Sequence, residues 1–136
     1  MNIKQAQNLS SSFFLAFHRC MEARPMPNSQ FQLPIVPAVV CAVFSVEIGF
    51  KAIILSEGGA ASGHELARLF KKISPVTQNL ILREVGLDLA AFNTTLNSIS
   101  NAFVKWRYIY EKDSAQVDIN FVKKLAIATQ KVAASA

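Results

Sequence analysis

The hydrophobic residues between Asp88 and Lys112 recur at alternating steps of three and four positions. This spacing places them on one stripe of a helix, and Asp88 is able to cap the helix by accepting a free amide of the first turn. The stripe consists of Leu89, Phe92, Leu96, Ile99, Phe103, Trp106 and Tyr110. The pattern therefore predicts one long core helix around which the rest of the chain packs.

The same periodicity predicts further helices on both sides of the long one, and strand-like alternation is missing from the sequence. Four helices are expected before it and one after it, over about Ile3 to Glu22, Pro37 to Ser56, Ser62 to Ile73, Ser74 to Gly86, and from Asp118 onward. The segment from Arg24 to Pro37 holds four of the five prolines, so an irregular loop is expected there. The fold class that follows is all-α: an up-and-down helical bundle of four main helices plus one or two short helices.

Local signals indicate where the shorter helices begin. Ser62 and Glu65 have the spacing of a capping box, which would place His64 in the first turn of a helix. Ser74 precedes Pro75 and is expected to cap the next helix. These two starts would bring two short helices into close succession before the long one.

Hydrophobic positions also predict which faces are buried. Leu9 is expected on the buried face of the first helix, together with Ala6 and Phe13. Val76, Leu80 and Val85 are expected to point inward from the helix that follows Ser74.

The stretch from Ile35 to Leu55 is almost entirely apolar and reaches the length of about 20 residues that crosses a bilayer. Glu47 and Lys51 lie well inside it, and ionised groups are costly in lipid. Pro37 also marks a helix start near its upstream end. These features favour a central helix that is buried by its neighbours over a membrane span.

Composition narrows the class of protein. A chain of 136 residues with 51% hydrophobic and 17% charged residues is long enough for one compact domain, so residues 1–136 are predicted to form a single helical domain. The net charge of +5 favours an anionic partner, but the basic residues form no dense block. No signal peptide pattern is seen, and Cys20 and Cys41 lack metal-ligand spacing. Reduced thiols and a cytoplasmic location are expected, without a metal or cofactor.

Four polar positions stand out against this apolar background. Glu47 and Lys51 are four residues apart in the order that favours an ion pair, and both a structural pair and a polar site fit that spacing. His64 could bind an anion or serve as a local helix cap. His18 is most simply a surface residue.

Three ordered segments carry a resemblance to a known family. They are Glu47-Ile48-Gly49-Phe50-Lys51-Ala52, then Gly63-His64-Glu65-Leu66 with Leu69-Phe70, and then Trp106-Arg107-Tyr108-Ile109-Tyr110-Glu111. In order and spacing they resemble the HEPN family, whose name abbreviates "higher eukaryotes and prokaryotes nucleotide-binding". The resemblance covers about Pro37 to Glu111. It implies a helical bundle that often dimerises across a groove.

Catalytic HEPN members are metal-independent ribonucleases that carry an arginine followed four to six residues later by a histidine. Arg107 matches the arginine, but Lys112, Asp113 and Ser114 stand near the place where the histidine belongs. No histidine follows His64 in the sequence. The departure puts the family's standard ribonuclease mechanism in question.

Two functions from different classes follow from the resemblance. In the first, the chain is a non-catalytic module that binds RNA, a nucleotide or a partner protein, such as an antitoxin-like protein, through a polar groove. The groove residues would be Glu47, Lys51, His64, Arg107, Tyr108 and Glu111. In the second, it is a divergent metal-independent endoribonuclease of toxin or defence type, with Arg107 and His64 as its catalytic residues. A homodimer is expected in both cases, and a purely structural role for the polar set is the third interpretation.

Overall fold

The structure is a computed structural model that describes residues 1–29, 31–32, 35–106 and 118–136, with backbone alone at 31–32 and 101–106. Six helices occur in these ranges, together with one pair of two-residue strands. The helices are α1 (Ile3–Cys20), α2 (Ile35–Ser56), α3 (Leu66–Lys72), α4 (Pro75–Val85), α5 (Leu89–Trp106) and α6 (Ile119–Ala134). The prediction of an all-α bundle with four longer and two shorter helices is confirmed.

Helix α2, rather than the long helix α5 around which the chain was predicted to pack, is the centre of the bundle, and it packs against α1, α3, α5 and α6. It is apolar on nearly every side, so it needs neighbours around its whole circumference. Within the described ranges it is also the one helix that is long and apolar enough to cross a membrane, and 78% of its most apolar window is buried inside the protein. The core helix of a soluble protein has the same properties.

A row of aromatic rings joins four helices through the core. The ring centroids of Phe50 on α2 and Phe70 on α3 are 5.7 Å apart, and Phe70 lies 4.6 Å from Phe92 on α5. Phe92 in turn meets Phe121 on α6 at 5.7 Å, near edge to face. Such ring pairs contribute beyond the area they bury. Phe92, Leu96 and Ile99 are buried, as predicted for the stripe of α5, whereas Leu89, its first member, is 47% exposed. The later members, Phe103, Trp106 and Tyr110, lie outside the residues whose side chains the structure describes.

Helices α1, α2 and α6 meet along a seam of small and polar residues. The hydroxyl of Ser10 donates to the backbone carbonyl of Ser45 at 2.7 Å, and the Ser45 hydroxyl donates to the Ser10 carbonyl at 2.9 Å. The side-chain amide of Gln130 donates to the Ser10 hydroxyl at 2.6 Å. Gly49 approaches α6 so closely that an added Cβ would lie 2.5 Å from Cγ2 of Thr129. The seam aligns α1 antiparallel to α2.

The seam explains an error in the predicted face of α1. Leu9 was expected to be buried, yet 43% of it is exposed, whereas Ser10 is fully buried. A leucine at position 10 would keep the two backbones apart, while a serine lets them approach and satisfies its own hydroxyl. The spacing of hydrophobic residues in the sequence does not show that Ser10, and not Leu9, is the buried residue.

The ends of the elements agree with the capping signals at three places. Asp88 accepts from the Ala91 amide at 2.8 Å, and Asp118 accepts from the Phe121 amide at 3.0 Å. Ser74 caps α4, which ends at Gly86 in the left-handed conformation. Each cap satisfies a backbone group that the helix leaves unpaired.

The proline-rich segment and the start of α2 differ from prediction. Arg24–Pro25 pairs antiparallel with Phe31–Gln32, so the expected irregular loop contains a short hairpin. Helix α2 begins at Ile35 rather than Pro37. A proline is tolerated in a first helical turn because those amides have no partner within the helix. The hairpin returns the chain from the end of α1 to the start of α2.

The predicted inner face of α4 was partly wrong. Val76 and Leu80 are 74% and 47% exposed, whereas Val85 is buried as predicted and shares the inner face with Ile81. Both pairs have a spacing of four residues, so each forms a stripe on the helix. The position of α4 against α6 decides which stripe faces inward.

Candidate functional site

A charged pair is set into the most apolar helix of the bundle. Lys51 Nζ lies 3.4 Å from Oε2 of Glu47, one turn away along α2, and their side chains are only 11% and 8% exposed. A buried carboxylate needs partners for its charge, since desolvation alone costs several kcal/mol. The ion pair predicted between Glu47 and Lys51 is therefore present.

The predicted start of the following helix is wrong, and this changes the position of His64. Helix α3 begins at Leu66, and its N-cap Glu65 makes no side-chain capping hydrogen bond, so the capping box expected with Ser62 is not formed. His64 lies in the loop before the helix rather than in its first turn. Gly63 has a φ of 97°, a left-handed conformation that glycine adopts without steric cost.

His64 pairs with the buried carboxylate instead of with the helix. Its Nδ1 lies 3.2 Å from Oε2 of Glu47, the same oxygen that Lys51 approaches, while the His64 side chain is 85% exposed. An ionised carboxylate only accepts hydrogen bonds, so Nδ1 carries the proton in this contact. Nε2 of a neutral His64 is then the acceptor nitrogen, and Glu47 fixes both the tautomer and the ring orientation.

A lysine of α3 holds the loop that carries His64. Lys72 Nζ donates to the backbone carbonyl of Ser62 at 3.1 Å and to that of Ala60 at 3.5 Å. The loop is thus attached at two points, to α3 through Lys72 and to α2 through Glu47. These contacts position the imidazole ring before any ligand arrives.

A cleft of about 430 Å³ opens between this loop and α3. We refer to it as the His64 cleft; it is lined by Ser62, Gly63, His64, Glu65, Arg68, Leu69 and Lys72. Arg68 Nε lies 3.0 Å from Oε2 of Glu65, and both side chains are largely exposed. An exposed pair of this kind exchanges partners readily, because it contributes little to stability. Two cationic groups able to donate to an anion, those of Arg68 and Lys72, therefore share one small cleft with His64.

The remaining predicted site residues are only partly accounted for. Arg107, Tyr108 and Glu111 lie outside the described residues. His18 is exposed, as expected for a surface histidine, and its ring centroid lies 4.5 Å from that of Phe14 in an edge-to-face arrangement. Across the described ranges, no group of three or more His, Cys, Asp or Glu side chains is placed to hold a metal ion.

No family model, curated protein or solved structure matches this chain. The resemblance to HEPN proteins, the expected homodimer and the cytoplasmic location accordingly stay predictions. The groups described above supply the physical basis for a proposal about function.

Two residues that line the His64 cleft, Arg68 and Lys72, were not among the site residues predicted from the sequence. Arg68 and Lys72 are four positions apart, so they share a face of α3, and this face lies away from the buried Leu66 and Phe70. The spacing of four residues was enough to predict that these two basic side chains share one helix face. Their proximity to His64 could not be predicted, because it depends on the path of the loop at residues 58–63.

A second, larger cavity of about 550 Å³ lies between the end of α2, α4 and α6. Its charged groups are largely engaged: Lys131 pairs with Glu84 at 3.0 Å, and Glu57 accepts three hydrogen bonds from the start of α4. The donors are the Ser74 amide, the Ser74 hydroxyl and the Thr77 hydroxyl. Glu57 thus acts as a cap for α4 from outside the helix, and the cavity offers less to an anion than the His64 cleft does.

Glu57 should make the stability of the protein depend on pH. Burial raises the pKa of Glu57, but the hydrogen bonds from Ser74 and Thr77 outweigh burial and hold the pKa below its ordinary value of 4.5. A carboxyl group with a lowered pKa in the folded state stabilises the fold above the unfolded pKa, and this contribution is lost as the pH falls through the folded pKa.

Replacing Glu57 with glutamine tests this dependence. Glutamine has a single acceptor oxygen, so it cannot receive all three hydrogen bonds. We expect Glu57→Gln to be less stable than the wild type in urea denaturation at neutral pH, with the difference shrinking below the unfolded pKa of 4.5. A difference that stays constant through acid pH would show that the carboxylate charge plays no part.

Proposed function

We propose that this chain is a non-catalytic helical module that binds the phosphates of single-stranded RNA in the His64 cleft. The observation that carries the proposal is that the basic side chains of Arg68 and Lys72 line one cleft with the exposed His64. Guanidinium and ammonium groups bind phosphate by charge-assisted hydrogen bonds, and the net charge of +5 favours the approach of a polyanion.

The burial and charge of the polar residues favour a binding function over a purely structural role. A purely structural network would be expected to keep its charges inside the bundle, whereas the Glu47 pair extends to an imidazole that is 85% exposed. Lys72 uses two of its three ammonium protons on the loop, which leaves one for a ligand. In the family that the sequence resembles, Arg107 would add a further phosphate ligand.

The test is binding of a labelled, mixed-sequence single-stranded RNA by fluorescence anisotropy. We expect Arg68→Ala to raise the dissociation constant about tenfold, the low end for loss of one charge-assisted hydrogen bond. The slope of log affinity against log salt should fall by about 0.7 for one lost phosphate contact. Lys123→Ala is the matched control, because it removes one positive charge from the exposed face of α6.

Equal losses in Arg68→Ala and Lys123→Ala would show that binding follows net charge and that the His64 cleft is not the site. Tight binding of a mononucleotide by the same residues would restrict the ligand to a nucleotide. If RNA and mononucleotides both fail to bind, the proposal is wrong, and a protein partner becomes the better hypothesis.

A divergent metal-independent ribonuclease is the second candidate, and the orientation of His64 favours it. Since Nδ1 faces Glu47, the exposed Nε2 is free to take a proton from a ribose 2′-hydroxyl, as a general base must. Incubation of RNA with the pure protein and a chelator tests this function. Cleavage that His64→Ala and Arg107→Ala both abolish would assign catalysis to these residues. If the wild-type protein leaves the RNA uncut, the ribonuclease function is excluded and RNA binding remains the proposed function.

A further inference from the structure

The imidazole ring of His64 holds one nitrogen against a buried carboxylate and keeps the other for a reaction partner. Nδ1 lies 3.2 Å from Oε2 of Glu47 and carries the proton of that contact, so the lone pair of a neutral His64 is on Nε2. The His64 side chain is 85% exposed, whereas that of Glu47 is 8% exposed. A nucleophilic nitrogen of fixed tautomer is therefore accessible at the surface.

Two basic side chains line the same cleft as this nitrogen. Arg68, whose side chain is 81% exposed, pairs with the half-exposed Glu65, and Lys72 keeps one ammonium proton that the loop carbonyls do not use. Guanidinium and ammonium groups stabilise the oxygens of a phosphoryl group during its transfer. The His64 cleft thus combines a nucleophile with two cations suited to a phosphoryl group.

We propose that Nε2 of His64 is a phosphorylation site that takes a phosphoryl group from a phosphoramidate, a donor that carries this group on nitrogen. The Nε2 lone pair bonds to phosphorus, and the bond from phosphorus to the donor nitrogen breaks. That nitrogen is already protonated in the donor, so it leaves as a neutral amine and no proton moves. His64 then bears the phosphoryl group on Nε2 and its proton on Nδ1, as an imidazolium. Phosphorylation at this nitrogen requires no polynucleotide, so it is independent of RNA binding.

The buried carboxylate favours this reaction through the charge that the ring acquires. The neutral ring becomes positive as Nε2 bonds to phosphorus, and Oε2 of Glu47 already faces the N–H group on the other ring nitrogen. A charge fixed beforehand in a poorly hydrated position stabilises such a developing charge more than water does. Lys51 lies 3.4 Å from the same oxygen and offsets part of this effect. Glu47 is therefore a positioning residue for His64.

Incubation of the full chain with potassium phosphoramidate at neutral pH tests the site. Intact mass should rise by one unit of about 80 Da, the mass of one phosphoryl group in place of a proton. Acid should remove this group and alkali should not, as for a bond from phosphorus to nitrogen, and phosphorus NMR should assign it to Nε2. We expect labelling of His64 to be about tenfold faster than that of His18, the low end for one charge-assisted hydrogen bond.

His18 is a matched comparison because it is the other histidine of the sequence and is also exposed, but its ring contacts Phe14 and Phe17. His18→Ala should keep the rapid labelling, and His64→Ala should lose it.

Two further variants test the surroundings of the ring. Arg68→Gln, at an exposed position, should slow labelling of His64 about tenfold through loss of one charge-assisted contact. Glu47→Gln should also slow it, in protein whose circular dichroism remains that of the folded chain. Equal rates at His18 and His64, a phosphoryl group on Nδ1 of His64, or an unchanged rate in Arg68→Gln would overturn the proposal.

Discussion

Replacing Glu47 with alanine is expected to lower the free energy of unfolding by about 3–5 kcal/mol. The change leaves the Lys51 ammonium, whose side chain is 11% exposed, without the carboxylate that it approaches at 3.4 Å. A domain of this size has a total stability of about 5–15 kcal/mol, so the variant should unfold at far lower urea concentration. His64, released from the same carboxylate, should gain mobility.

The double variant Glu47→Met with Lys51→Met is the control for this prediction. It removes both charges and keeps most of the volume, so it should recover most of the lost stability. His64→Ala should cost much less than Glu47→Ala, because the imidazole is exposed. If Glu47→Ala lowers the free energy of unfolding by less than about 1 kcal/mol, water solvates the Lys51 ammonium and the pair behaves as an exposed ion pair.

Gly49→Val is expected to destabilise the protein by about 3 kcal/mol, the upper range for overpacking a close contact. The added Cβ alone would lie 2.5 Å from Cγ2 of Thr129 and 3.1 Å from Oγ of Ser10, and valine carries two methyl groups beyond that Cβ. Helix propensity acts in the opposite direction, since valine is a better helix former than glycine. The loss in the free energy of unfolding therefore reports on how closely α2 approaches α6 at Gly49.

Thermal and urea unfolding of two further variants identify the contact. Combining Gly49→Val with Thr129→Ser removes the nearest methyl group and should restore part of the stability. Asn97→Val places the same side chain at an exposed position of α5, where a change within about 0.5 kcal/mol is expected. If Gly49→Val proves as mild as Asn97→Val, the approach of the two helices at Gly49 is wrong.

Local signals in the sequence predicted most of the helices and several of their ends. Asp88, Asp118 and Ser74 cap helices because a side-chain oxygen can reach an amide three residues on, and this needs no distant partner. The capping box at Ser62 failed for a tertiary reason. Lys72 holds the Ser62 carbonyl and Glu47 holds His64, so the chain reaches the helix only at Leu66.

The candidate site was predicted in part. The spacing of Glu47 and Lys51 along one helix was enough to predict their ion pair. The sequence could not show that His64, seventeen positions from Glu47, shares the same carboxylate oxygen. That contact depends on a glycine-containing loop, whose path is determined by what it binds at each end.

The sequence by itself determined the helical class of this protein and the caps at Ser74, Asp88 and Asp118, because these depend on residues within a few positions of each other. Only the tertiary structure decided which stripe of α4 is buried, why Ser10 replaces Leu9 inside the bundle, and how His64, Arg68 and Lys72 come to share one cleft. These features depend on the distance and rotation of whole helices. Contacts between segments far apart in the chain determine the distance and the rotation of each helix. The local periodicity of hydrophobic residues carries no information about either quantity.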